Sequence, residues 1–251
     1  MKVVAIIPAY NEGQSITDVV SDVQRYVDQV IVIDDGSSDK TADFAEQKGA
    51  VVIRHPLNLG KGAACRSGFY AAVKLGGDAI ITLDGDGQHA SSDIPAMVEK
   101  AKECGPKPCI VLGNRMSDVK NMPFVRWMTN RSLSALISFL AGQKINDSQC
   151  GFRLINREIL ERVDYENNRY DAESEILVRA SRAGYEVVEV PVQTIYNGEF
   201  SKINVFWDTL RFVRFFFRHL FRSPPVAFSE AKRISENLGS SIPTDKNLST
   251  S

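Results

Sequence analysis

The sequence predicts an α/β fold with an open, mostly parallel central sheet flanked by helices. Three observations carry this. Short β-branched runs recur through the first half of the chain. Segments with apolar residues at helical spacing lie between them. The strand runs are apolar on both faces, as strands covered by helices on either side must be. A βαβαβαβ alternation needs crossover connections, and right-handed crossovers bring the C-terminal ends of the parallel strands to one edge. Ligands of such sheets bind at that edge, so chemistry is sought directly after each strand.

In chain order, the strand runs are Val3–Ile7, Gln29–Ile33, Val51–Arg54, Ala79–Leu83 and Ile110–Leu112. Helical spacing marks Ser15–Val27, Thr41–Lys48, Gly62–Leu75 and Ile94–Glu103. A longer helix is expected over Pro123–Ala141, since Pro123 suits a first turn and Gly142 a stop. Gly151–Ile155 and Val187–Val192 read as strands, with a helix over Ala172–Ala183 closed by Gly184. A last helix is expected over Val205–Phe221, ended by Pro224-Pro225. From Ser229 the chain is rich in Ser, Asn and Lys and is expected to be disordered.

With 251 residues, 43% of them hydrophobic, the chain can bury a core without disulfide support. Its net charge of −1 argues against a nucleic-acid partner. Cys65, Cys104, Cys109 and Cys150 form no CxxC pair and have no histidine cluster near them, which excludes a structural zinc site of the usual spacing. Reduced thiols and an intracellular setting are expected, because the chain opens directly into a strand rather than a charged and apolar leader. No apolar stretch reaches the roughly 20 residues that cross a bilayer, so a membrane would be met at its surface.

The strand ends carry polar clusters. After the first come Pro8, Ala9, Tyr10, Asn11 and Glu12; after the second, Asp34-Asp35-Gly36-Ser37; after the fourth, Asp84-Gly85-Asp86-Gly87-Gln88. One such cluster is ordinary turn composition. Three on the same sheet edge are the makings of a site. Asp84 and Asp86, alternate residues in extended backbone, can share a divalent cation, with Gln88 spaced to add a third oxygen. Hard oxygen donors suit Mg²⁺ or Mn²⁺. Gly85 removes bulk where a diphosphate would approach. Leu59-Gly60-Lys61-Gly62 opens a helix, where backbone N–H groups and Lys61 suit phosphate. The spacings of a P-loop and of a dinucleotide-binding GxGxxG turn are both absent.

Ile7 through Glu12, Asp34 through Ser37, Asn58 through Gly62 and Asp84 through Gln88 together resemble the family 2 glycosyltransferases. The resemblance continues through Gly113-Asn114-Arg115, Gln149 through Arg153 and Ser201 through Asn204, segments similar to the dolichyl- and polyprenyl-phosphate sugar synthases. It implies the nucleotide-diphospho-sugar transferase (GT-A type) fold. It further implies a donor site of Pro8, Ala9, Tyr10, Glu12, Asp35, Lys61, Asp84, Gly85 and Asp86, with Asp35 on the base or ribose. A metal, Mg²⁺ or Mn²⁺, would be held by Asp84, Asp86 and Gln88. Arg115, with Arg126 or Arg131, would meet the acceptor phosphate, and Lys202 the reacting phosphates. Asp86, Arg115, Arg131 and Lys202 are the expected catalytic set.

The implied reaction moves a hexose from a UDP- or GDP-sugar to a polyprenyl or dolichyl phosphate, with inversion. The QxxRW motif frequent in enzymes acting on sugar hydroxyls is absent. A hydroxyl needs a general base; a phosphate is already ionised near neutral pH. Asp171 or Glu173 could still serve as a base or orient the acceptor, or simply favour a helix N-terminus. The alternatives are a glycosyltransferase for a soluble or saccharide hydroxyl, a sugar-1-phosphate nucleotidyltransferase, and a non-catalytic membrane scaffold.

Three regions are expected: a catalytic domain over 1–200, a basic aromatic membrane-interface segment over 201–228, and a tail over 229–251. In the second, Asp208, Arg211, Arg214, Arg218 and Arg222 form one polar stripe among large apolar side chains. A basic, aromatic-rich amphipathic helix suits an anionic lipid interface. The expected partners are therefore a nucleotide-sugar donor, a lipid phosphate and a membrane surface, the last on its cytoplasmic face.

Overall fold

The structure, a computed structural model, describes residues 1–117, 122–163 and 171–195. In chain order the elements are β1 (Val3–Ala9), α1 (Ile16–Val23), β2 (Gln29–Asp34), α2 (Thr41–Gln47), β3 (Val51–Arg54), α3 (Lys61–Lys74), β4 (Ala79–Thr82), α4 (Ile94–Glu103), β5 (Cys109–Asn114), α5 (Phe124–Ala141), β6 (Arg153–Asn156), α6 (Arg157–Arg162), α7 (Asp171–Arg182) and β7 (Glu186–Pro191). Lys202, the helix expected over Val205–Phe221 and the tail lie outside the described residues.

The seven strands form one sheet in the order β3-β2-β1-β4-β6-β5-β7. All pairings are parallel except those of β6, which runs against both β4 and β5. From β1 the chain builds outward through β2 to β3, then returns to place β4 on the other side of β1. The crevice between the ends of β1 and β4 is thus a topological switch point, where open α/β sheets bind ligands. The reversal of β6 matters equally. It turns the N-terminal end of that strand, and the loop before it, toward the edge where β4 and β5 finish.

Burial explains the sheet's position. Val4, Ala5, Ile6 and Ile7 are fully buried on β1, as are Ile31, Val32 and Ile33 on β2 and Ile80 and Ile81 on β4. Each such side chain contributes about 1.5–3 kcal/mol by leaving water. Helix α3 packs on this face through Gly68, where a Cβ would stand 2.7 Å from Ile33 Cδ1. The glycine lets the helix settle against the central strands and so fixes its N-terminus, Lys61, at the sheet edge.

The reduced-thiol expectation needs correction for one pair. Cys104, which caps α4, and Cys109, which begins β5, form a disulfide with their Cα atoms 6.5 Å apart. The short turn between helix and strand brings them within bridging range. Cys65 and Cys150 are free and buried. No helix of the described residues is long and apolar enough to cross a membrane.

Candidate active site

The loops after β1 and β2 are stitched together. Asn11 takes a left-handed conformation, φ 56°. Its N–H donates to Ser37 Oγ at 2.9 Å, and its side-chain oxygen accepts from the Ser38 N–H at 2.9 Å. The Glu12 N–H donates to Thr41 Oγ1 at 2.9 Å, and Ser15 Oγ donates to the Gly85 carbonyl at 2.6 Å. Residues 11–15 are thereby tied to the loops after both β2 and β4. Tyr10, directly after β1, is 45% exposed.

Asp35 is placed differently from a free ligand group. It is buried, and its Oδ1 lies 2.7 Å from His55 Nδ1 and accepts from the Leu59 N–H at 3.0 Å. Its Oδ2 accepts from the Gly60 N–H at 2.8 Å. The far ring nitrogen of His55 sits 2.9 Å from Ser67 Oγ on α3. Asp35 therefore sets the loop that delivers Lys61. A nucleoside contact from this carboxylate would have to share an oxygen already engaged.

Beyond β4, Asp84 forms the centre of a charged network. Lys61 Nζ lies 2.6 Å from Asp84 Oδ1 and 2.8 Å from Glu173 Oε1 on α7. His89 Nε2 is 3.4 Å from Asp84 Oδ2. Burial alone would raise the Asp84 pKa, but Lys61 and His89 hold it well below the usual carboxylate range. Burial would lower that of Lys61, but Asp84 and Glu173 keep it well above its ordinary value. Asp86 moves the other way: burial, then the charge of Asp84, raises its carboxyl. The Gln88 N–H donates to Asp86 Oδ1 at 2.9 Å.

The loop preceding β6 closes over this network. Buried Arg153 donates from Nε to the Cys150 carbonyl at 2.8 Å and from Nη2 to the Ser148 carbonyl at 2.9 Å. It also donates to the Glu173 carbonyl and lies 3.6 Å from Glu173 Oε2. Thr82 Oγ1 donates to the Gly151 carbonyl at 2.6 Å. Gly151 is pressed so near that a Cβ would stand 3.0 Å from Asp84 Oδ2 and 3.1 Å from Lys61 Nζ.

Do these residues fit the expected cation? Among the described residues no three His, Cys, Asp or Glu side chains gather as a metal cluster. The expected set is two carboxylates and one amide, which leaves coordination positions for diphosphate oxygens, as Mg²⁺ sites commonly do. A carboxyl raised by burial and by an anionic neighbour, as Asp86 is, is also what a nearby divalent charge would relieve. The donors fit a hard cation, provided Lys61 yields Asp84 Oδ1.

The three arginines expected at the acceptor phosphate are placed unlike one another. Arg115 is buried and forked onto Asp147, through Nε at 2.8 Å and Nη2 at 2.9 Å, and its backbone N–H adds a third bond at 3.0 Å. Asp147 is in turn fixed by Glu189 of β7, which accepts from the backbone N–H groups of Asn146 at 2.6 Å and Asp147 at 3.2 Å. Arg126 is half-buried on α5. Arg131 is exposed there, with its guanidinium 5.5 Å from the centre of the Trp127 ring.

Sequence reading missed His55, although it directly follows β3 and the strand-end rule points at it. It also missed Asp147 and Glu189, which carry no local signature; only the fold brings them to Arg115. Arg153 lay within a recognised motif but had no role. The side chain of Asp171 lies outside the described residues.

A seven-stranded sheet with this reversed strand, and an acidic set at its switch point, defines a GT-A type nucleotide-diphospho-sugar transferase fold. The chain belongs to glycosyl transferase family 2, whose model matches residues 4–164, and it is a glycosyltransferase. It is 32% identical over 214 residues to a UDP-N-acetylglucosamine–dolichyl-phosphate N-acetylglucosaminyltransferase of Methanococcus voltae, covering 76% of this chain and 84% of that one. It is 29% identical to a polyprenol monophosphomannose synthase of Mycolicibacterium smegmatis, covering 76% of each. Among solved structures, glucosyl-3-phosphoglycerate synthase of Mycobacterium tuberculosis with UDP superimposes with a TM-score of 0.68, covering 87% of this chain and 79% of that one at 19% identity. That last likeness is one of fold.

Proposed function

We propose that the protein transfers a hexose from a UDP- or GDP-sugar to the phosphate of a polyprenyl or dolichyl lipid. The observation that carries this is the Asp84–Lys61–Glu173 network at the switch point, in a chain similar to enzymes named for lipid-phosphate acceptors. Pro8, Ala9, Tyr10 and Glu12 line the nucleoside side. Lys61 and the start of α3 face the diphosphate, beside Gly85. Asp84, Asp86 and Gln88 would hold Mg²⁺ or Mn²⁺, which neutralises diphosphate charge when bound.

In the reaction, an acceptor phosphate oxygen attacks the anomeric carbon. The bond from that carbon to the diphosphate oxygen breaks, and nucleoside diphosphate departs with inversion. Lys61 stabilises the departing charge from a position already set by Asp35 and Glu173. Glu173 has both carboxylate oxygens facing cations, at 2.8 Å from Lys61 and 3.6 Å from Arg153. A group so engaged is a poor general base, which favours an acceptor that needs none. Arg115, Arg126 and Arg131 are assigned to the acceptor side and Lys202 to the reacting phosphates. A catalytic domain over 1–200 is followed by a membrane-interface segment over 201–228 and a tail over 229–251. The enzyme would work at the cytoplasmic face of a membrane.

A panel of radiolabelled UDP- and GDP-sugars, assayed with a short polyprenyl phosphate and Mg²⁺ or Mn²⁺, tests the reading. One donor should give a lipid-extractable product that depends on the cation. Label passing only to a water-soluble hydroxyl acceptor would overturn it.

A further inference from the structure

Lys61 has two seats. Its Nζ lies 2.6 Å from Oδ1 of Asp84, one of the assigned cation ligands, and 2.8 Å from Glu173 Oε1 on α7. It has little other room. The chain just before it is pinned where the Gly60 N–H donates to Asp35 Oδ2 at 2.8 Å. Gly151 closes over the ammonium so tightly that a Cβ there would stand 3.1 Å from Nζ. A lysine carries its charge on a flexible four-carbon stem, so Nζ can trade one carboxylate for the other while the start of α3 stays in place.

The two seats differ in what else holds them. Asp84 belongs to the loop after β4, and its other oxygen lies 3.4 Å from His89 Nε2. Glu173 is anchored on α7 by Arg153, which donates to its carbonyl and lies 3.6 Å from Oε2, leaving Oε1 to Lys61. A divalent cation on the Asp84 carboxylate would share that carboxylate with the ammonium. Like charges so close repel strongly where water is scarce. Glu173 gives Lys61 a place to withdraw to without losing its counter-charge.

We propose that Lys61 competes with the divalent cation for Asp84, that Glu173 is the seat Lys61 keeps when the cation binds, and that nucleoside diphosphate tightens the cation's hold by drawing the ammonium to its phosphates. Glu173 is then a positioning residue that acts through Lys61. This rests on the cation assignment of the proposed function and is independent of the acceptor.

The test counts free Mn²⁺ by its electron paramagnetic resonance signal in titrations of wild type, Lys61→Met and Glu173→Gln. Each is run without nucleotide and with saturating UDP or GDP, whichever binds the wild type, against protein-free blanks that account for Mn²⁺ held by nucleotide alone. Without nucleotide, Lys61→Met should bind Mn²⁺ about tenfold or more tightly than wild type, and Glu173→Gln several-fold more weakly. With nucleotide, the gap between wild type and Lys61→Met should shrink to about threefold or less, because the ammonium has left Asp84. Adding Glu173→Gln to Lys61→Met should weaken Mn²⁺ binding less than Glu173→Gln does in the wild type.

Mn²⁺ bound by Lys61→Met no more tightly than by wild type would overturn the proposal. So would a gap that persists undiminished with nucleotide, which is the mark of a fixed ion pair felt only as a background charge. Should Lys61→Met fail to fold, Glu173→Gln retains the Lys61–Asp84 pair, and Mn²⁺ binding equal to wild type in that variant would overturn the proposal equally. If no protein binds Mn²⁺ even with nucleotide, the cation assignment falls and this proposal with it. If the Mn²⁺ affinities follow the expected pattern while the wild type transfers sugar to no lipid phosphate, the acceptor reading fails and the competition stands.

Discussion

Removing the Asp147 carboxylate isolates the frame that holds Arg115. Asp147 is fully buried, and Arg115 gives it three hydrogen bonds, two from the guanidinium and one from the backbone. Asp147→Ala would leave a buried guanidinium without its counter-charge. Breaking a buried pair from one side costs about 3–5 kcal/mol, because the remaining charge is stranded away from water. At about 2–4 °C per kcal/mol for a chain of this size, the unfolding midpoint should fall by about 6–20 °C. Urea denaturation and thermal unfolding, read by circular dichroism, measure both quantities. The double variant Arg115→Met, Asp147→Leu removes both charges and should recover most of the stability, since apolar replacements of a buried pair are commonly neutral or better. It should recover none of the transfer activity if Arg115 serves the acceptor. A loss below about 1 kcal/mol for Asp147→Ala would refute the reasoning, because that is the range of a solvated surface pair.

Three further outcomes follow from the site. His55→Ala removes the ring that bridges Asp35 and Ser67, so stability should fall by about 1–3 kcal/mol and donor affinity should fall with the loosened Leu59–Gly60 loop; urea denaturation and calorimetric titration with nucleoside diphosphate check the two effects. Gly151→Ala places a methyl group 3.0 Å from Asp84 Oδ2, so steady-state turnover should drop by at least about tenfold, with a much smaller change in the unfolding midpoint. Arg131→Ala, at an exposed position, should leave stability unchanged and raise the acceptor KM by about tenfold while sparing the donor KM, which acceptor and donor titrations separate.

Much of the frame was legible because it depends on local pattern. The runs at 3–7, 29–33, 51–54 and 79–83 lie on β1 to β4 within a residue or two, since buried parallel strands need continuous apolar sequence. Pro123 and Gly142 bracket α5 as helix-end preferences dictate. The sequence also places the Asp84–Asp86 pair at a strand end, and the fold sets it at the switch point.

What was not legible depends on contacts distant along the chain. The bond partners of Asp35 are set by where the 55–60 loop folds back, so a residue that reads as a ligand group is internally engaged. Arg115 reads as a phosphate contact, yet its partner Asp147 lies 32 residues on and arrives only because β6 reverses direction. Lys61 and Glu173 meet through the packing of α3 and α7 around Asp84, which no spacing encodes.

The most direct measurement of the central claim is product identity with wild type and Asp86→Ala side by side. Each protein is incubated with the active nucleotide-sugar, a short polyprenyl phosphate and Mn²⁺, and the products are followed by mass spectrometry. Wild type is expected to form hexosyl-phospho-polyprenol and nucleoside diphosphate in equal amounts. Asp86→Ala is expected to form neither while unfolding at the wild-type temperature. Free hexose in place of the glycolipid, or undiminished glycolipid from Asp86→Ala at saturating Mn²⁺, would contradict the assignment of donor, acceptor or cation site.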